Sequence, residues 1–71
     1  MVGVEKNQRL RMARLALGLS QQQLAEQIDV SRQTIVLIEN GNYNPSINLC
    51  IALCKALGKT LNDLFWEEET Q

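Results

Sequence analysis

Apolar residues recur along most of this chain at intervals of three and four, the period of helices that bury one face. Leu10, Ala13 and Leu17 form one such stripe and predict a first helix over 7–17, stopped by Gly18. Met12 and Leu15 fall off that stripe and read as isolated exposed apolar residues. Leu24, Ala25 and Ile28 form a second stripe behind Ser20, and Ser20 with Gln23 has the spacing of a capping box. Ile35 and Ile38 form a third, opened by Ser31 and closed by Asn40 and Gly41. Between the second and third the pattern breaks. Asp29 tolerates a left-handed turn better than most non-glycine residues, and Val30 can plug the corner. Pro45 holds Asn44 extended, Ser46 caps a fourth helix over 47–57, and Gly58 closes it. That helix is apolar almost all round, with Asn48 and Lys55 its only polar positions. Thr60 opens a last short helix, 61–65, with Asp63 three residues on in box-like spacing. The expected fold class is all-α, a compact five-helix bundle in a single domain over 1–71.

The stretch from Ser20 to Gly41 is two short helices joined by a tight turn, a helix-turn-helix unit whose second helix can be offered to the major groove of DNA. The polar positions of that second helix, 31–40, fit the reading. On its first exposed turn Arg32 can bridge guanine O6 and N7, and Gln33 can bridge adenine N6 and N7. Val36, a turn beyond Arg32, is placed to touch a thymine methyl. Thr34 can bond a phosphate or a base, or bond back to its own helix. Leu37 can meet DNA sugar and methyl groups or shield the first helix, and the sequence leaves both open.

Several separated pieces, LSQ, VSRQTI, ENG, NPS and ALG, occur in order between Asn7 and Phe65. Together they make the chain resemble the helix-turn-helix domain of the Cro and phage-repressor class, also called the xenobiotic-response-element family. The resemblance implies a lambda-repressor-like bundle and a small transcriptional regulator, most simply a repressor that binds a two-fold operator as a homodimer. It implies base reading by Arg32, Gln33 and Val36, and phosphate or backbone contact by Gln21, Ser31, Thr34, Asn42 and Tyr43. It also implies a structural ion pair between Arg14 and Glu39 that ties the first helix to the recognition helix. Gln21 is equally a sound first-turn residue, and Tyr43 can instead pack its ring across the loop. Two residues depart from the family pattern. Asp29 stands where the turn usually has glycine, which adds strain and a negative charge near the DNA side, and Asn42 stands where a cation commonly follows ENG. Both lower the affinity expected of a monomer.

The composition narrows the picture. At 71 residues a single core is marginal without good packing or self-association, and 45% hydrophobic residues are ample for it. The surplus apolarity of helix 47–57 points to a partner, with Ile51, Leu64 and Trp66 as candidate dimer contacts. A net charge of −1 excludes coating of nucleic acid by charge alone. The distribution is uneven: Lys6, Arg9, Arg11, Arg14 and Arg32 precede Gly41, whereas Asp63 and the acidic tail 67–71 lie at the far end. No apolar run approaches the length of a membrane span and no basic-then-apolar leader is present, so no membrane partner and a cytoplasmic location are expected.

Chemistry is sparse. There is no histidine, no Gly-rich phosphate loop and no paired carboxylates at usable spacing, which argues against an enzyme, a cofactor or a metal. Double-stranded DNA is the expected partner, and no small-molecule ligand is evident. Cys50 and Cys54 lie one helical turn apart, a poor geometry for a disulfide in a regular helix, and read as buried small apolar residues. Two expectations concern the ends of the chain: a short strand pair between Val2–Val4 and the segment after Phe65, and Trp66 at an interface. A different class of function, an antitoxin or bridging module, would use helix 47–57 and Trp66 to bind another protein. It is disfavoured by the few residues left for a toxin-wrapping extension.

Overall fold

Each helix of this chain begins at a side chain that caps it. Asn7, Ser20, Ser31, Ser46 and Thr60 each accept a hydrogen bond from the backbone N–H three residues on, satisfying a donor that has no partner within its own helix. The computed structural model describes residues 7–65, and its helices are α1 (Gln8–Ala16), α2 (Gln21–Gln27), α3 (Arg32–Glu39), α4 (Ile47–Leu57) and α5 (Leu61–Leu64). Ser20 with Gln23, and Thr60 with Asp63, form complete capping boxes. The Asp63 carboxyl lies below the usual carboxylate range because it accepts from the backbone and the hydroxyl of Thr60.

The first four helices also end alike. The N–H of Leu19 bonds the carbonyl of Arg14, Val30 bonds Ala25, Asn42 bonds Leu37, and Lys59 bonds Cys54. This closure needs a left-handed residue just before the donor. Gly18, Gly41 and Gly58 fill that place at positive φ, and at the end of α2 Asp29 fills it with φ 61°.

The inward faces meet in one cluster: Leu10 and Ala13 of α1, Leu24 and Ala25 of α2, Ile35 and Ile38 of α3, Leu53, Cys54 and Leu57 of α4, and Leu64 of α5. Leu10, Leu24, Ile35 and Leu53 are fully buried, each contributing about 2 kcal/mol by removing its side chain from water. Ala25 has no exposed surface, and the α2–α3 pair around it is the most closely packed in the bundle. The fold is thus all-α with five helices, and no strand occurs among the described residues. The terminal strand pair and Trp66 fall outside those residues.

Two placements differ from the pattern-based ones. Leu17 is 54% exposed, because α1 ends at Ala16 and Leu17 projects beyond the last turn, where no other helix covers it. The place beside Leu10 and Ala13 on the buried face goes to Arg14 instead. Leu64 is 2% exposed and belongs to the core, so it offers no surface to a partner. Of the candidate dimer contacts, Ile51 of α4 is exposed, as is Ile47 one turn before it.

Candidate nucleic-acid interface

The turn between α2 and α3 sets the direction of α3. Asp29 turns the chain left-handed, Val30 packs half-buried against the core, and Ser31 restarts the helix by capping the Thr34 amide at 3.2 Å. The Ser31 and Thr34 hydroxyls also share a hydrogen bond of 3.0 Å. Ile35 and Ile38 then anchor one side of α3 in the core. The opposite side carries Arg32 and Gln33, both exposed, with Val36 and Leu37 half-buried beside them.

The core side of α3 is held by more than apolar contact. Glu39, at its last turn, is buried together with Arg14. The Arg14 guanidinium donates to both carboxylate oxygens, from Nε to Oε2 at 2.7 Å and from Nη2 to Oε1 at 3.1 Å, and its Nη1 donates to the Leu19 carbonyl at 2.8 Å. The Asn7 amide donates to the Glu39 carbonyl at 3.0 Å. Every buried side-chain nitrogen and oxygen among the described residues has a partner, which a buried ion pair requires if it is not to destabilise the fold. Both ends of α1 are thereby fastened to α3.

Gln21 extends this system toward the surface. Its Nε2 donates to Glu39 Oε1 at 3.2 Å, and its Oε1 accepts from Arg32 Nη2 at 3.4 Å. The chain of contacts therefore runs Arg14, Glu39, Gln21, Arg32, from the core to the exposed face of α3. The sequence reading missed the two links made by Gln21. Its only signal was a polar residue on the first turn of α2, and partners 11 and 18 residues away are invisible to helical spacing.

The loop after α3 presents Asn42 and Tyr43, both exposed. The Asn42 backbone N–H is already spent on the Leu37 carbonyl at 2.8 Å, so its side chain is what remains for a ligand. Tyr43 is 46% exposed.

A family model described as helix-turn-helix matches residues 10–64. The chain belongs to the helix-turn-helix family. Within it the regulator falls in the Cro and phage-repressor class of transcriptional regulators with a DNA-binding domain, not of enzymes. It is 41% identical over 61 residues to the uncharacterized HTH-type transcriptional regulator YgzD of Bacillus subtilis, covering 86% of this chain and 92% of that one. It is 38% identical over 61 residues to the immunity repressor protein of Bacillus phage phi105, covering 86% of this chain and 42% of the repressor. Among solved structures it is similar to the restriction-modification controller protein C.AhdI of Aeromonas hydrophila, with a TM-score of 0.79 and 37% identity, covering 87% of this chain and 94% of that one.

The two thiols of this regulator stand apart from the interface. Cys50 and Cys54 are free and buried on α4. Burial pushes both thiols up from their ordinary range, with Cys54 adding to the effect on Cys50 and Asp63 adding to it on Cys54. No cluster of metal-ligating side chains occurs among the described residues, and no helix there is long and apolar enough to cross a membrane.

Proposed function

We propose that this regulator is a sequence-specific repressor that binds a two-fold operator as a homodimer, with α3 in the major groove. The observation that carries the reading is the division of α3. Ile35, Ile38 and Glu39 lock one side into the bundle, while Arg32 and Gln33 are exposed and Val36 is half-buried beside them, with chemistry that suits base edges. Arg32 and Gln33 read purines and Val36 meets a thymine methyl. Ser31, Thr34, Asn42, Tyr43 and the second amide proton of Gln21 set the register on phosphates.

With a net charge of −1 the chain neutralises few phosphates, so a single copy binds weakly. Two copies related by a two-fold axis place recognition helices about 34 Å apart, one turn of DNA. The exposed Ile47 and Ile51 of α4 offer apolar surface for that pairing. Occupancy of the operator blocks polymerase, a mechanism that needs no further domain. The resemblance to proteins named as an immunity repressor and a restriction-modification controller supports a regulator that acts by binding its site.

Selection of bound sequences from random DNA, at two salt concentrations and with Arg32→Ala and Gln33→Ala, tests this reading. A two-fold motif is expected, and each substitution relaxes it at its own base pair by about 1–3 kcal/mol. Motif-free binding indifferent to both substitutions would overturn the reading. A motif without symmetry would overturn the dimer alone.

A further inference from the structure

We propose that the outward face of α1 is a docking site for segment 66–69 of the same chain, with the Trp66 indole on Met12 and Leu15 and the carboxylates that follow it on Arg9 and Arg11.

The face itself is the first observation. α1 turns Leu10, Ala13 and Arg14 inward, which leaves Met12 and Leu15, one turn apart, on the opposite side. Met12 is 65% exposed and Leu15 53%. Each follows an arginine by one turn, Arg9 before Met12 and Arg11 before Leu15, so the face is an apolar ridge with a guanidinium on either flank. No acidic residue lies on α1, and Arg14 is already committed to Glu39. Arg11 has no ion pair among the described residues. Such a ridge is matched by a large apolar side chain with carboxylates beside it. The one run of carboxylates in the sequence, Glu67 to Glu69, stands directly after its only tryptophan.

The second observation is where the chain leaves the bundle. Arg9 Nη1 donates to the Asn62 carbonyl at 3.3 Å, at the C-terminal end of α5, where the last carbonyls have no donor within the helix. α1 and α5 are in direct contact. The backbone therefore passes Phe65 beside the first turns of α1. Leu15 lies about 9 Å beyond Arg9 along the helix axis. Four extended residues span about 13 Å, so 66–69 cover the distance with α5 intact. So short a connection gives the segment a far higher effective concentration at its own α1 than at that of a second copy.

Both halves of the contact work together. The indole covers the Met12 thioether and the Leu15 side chain, and sulfur packs well against an aromatic ring. The carboxylates then reach the guanidiniums on the same short stretch of backbone.

The test uses the full chain. Its single tryptophan makes fluorescence a report on position 66 alone. Emission blue-shifted from free tryptophan, and acrylamide quenching that is unchanged on dilution, are expected. Met12→Ser with Leu15→Ser is expected to raise the quenching constant about threefold. Arg11→Glu is expected to raise it about twofold at low ionic strength, a difference that shrinks as salt is added. All three replaced side chains are exposed, and a cooperative thermal transition confirms that each variant is folded.

Quenching unmoved by Met12→Ser with Leu15→Ser, but raised by Ile47→Ser with Ile51→Ser, would overturn docking on α1 and assign the indole to α4. Protection lost on dilution would overturn the same-chain arrangement. A second measurement needs no change to α1: the Met12 methyl resonance is expected to move in the NMR spectrum of Trp66→Ala, through loss of the ring current. An unmoved methyl would overturn the contact whatever the fluorescence shows.

Discussion

Replacing Asp29 with glycine should stabilise this protein. The residue sits at φ 61° in the closure that the chain builds with glycine after α1, α3 and α4. A left-handed conformation costs an L-residue roughly 1–2 kcal/mol, and aspartate relieves only part of that through its short polar side chain. Glycine removes the steric cost but gains about 0.5–1 kcal/mol of unfolded-state entropy to lose on folding. The balance is a gain of about 0.5 kcal/mol for Asp29→Gly, or about 2–4 °C in the thermal midpoint of a domain this size. Asp29→Ala keeps the steric cost without the relief and should lower the midpoint.

The same term can be read from the other side. Gly18 and Gly58 have φ 72° and 67°, and a Cβ added at either would have nothing within 4 Å. Gly18→Ala and Gly58→Ala should therefore each cost about 1 kcal/mol through the backbone alone. Thermal and urea unfolding without DNA give all four values, and keep the loss of negative charge near DNA out of the comparison. The reasoning fails if Asp29→Gly is neutral or destabilising while both glycine variants lose stability. That outcome would mean the Asp29 carboxylate contributes more than its backbone costs.

Removing one member of the buried ion pair, by Arg14→Ala or Glu39→Ala, is expected to cost about 3–5 kcal/mol in urea unfolding, because it leaves the other charge buried and unpaired. That is a large share of the roughly 4–10 kcal/mol typical of a domain this size, and the Arg14→Met with Glu39→Leu replacement should recover most of it. Single losses below about 1 kcal/mol would refute the account. For the cysteines the native state holds the thiol pKa above its unfolded value, so their contribution is whole below about pH 8.5 and is lost as pH rises through the native value. Urea stability should drop more steeply between pH 8 and 10 in the wild type than in a Cys50→Ala, Cys54→Ala variant, and equal slopes would contradict the burial effect.

Local chemistry made much of the fold legible. Ser20 with Gln23, Ser31, Ser46 and Thr60 with Asp63 mark helix starts because an N-cap and its N3 partner are close in sequence. Asp29 marked the turn for the same reason: the conformation belongs to the residue itself. Two placements that depended on which helix covers which were not legible. Periodicity put Leu17 on the buried stripe, but it could not tell that the helix stops at Ala16 with nothing beyond. Beside the bulky Phe65 and Trp66, Leu64 reads by default as core and alternatively as a dimer contact, and α5 turns it inward, which leaves only the first. In the interface, helical spacing placed Arg32, Gln33 and Val36 on one outward face. The contacts of Gln21 arise only when α2 and α3 cross, and no spacing rule reports a crossing.

The split character of α3 bears on how such a regulator changes its target over evolutionary time. The Gln33 side chain makes no hydrogen bond among the described residues and is exposed, so exchanging it leaves the fold undisturbed and, if α3 reads bases as proposed, alters what is read. Position 32 lacks that freedom. A new side chain there inherits an acceptor from α2, and a glutamate would face the Gln21 oxygen with nothing to donate. On the proposed reading, retargeting through position 32 calls for a matching change at position 21. Divergence of operators should run first through residue 33.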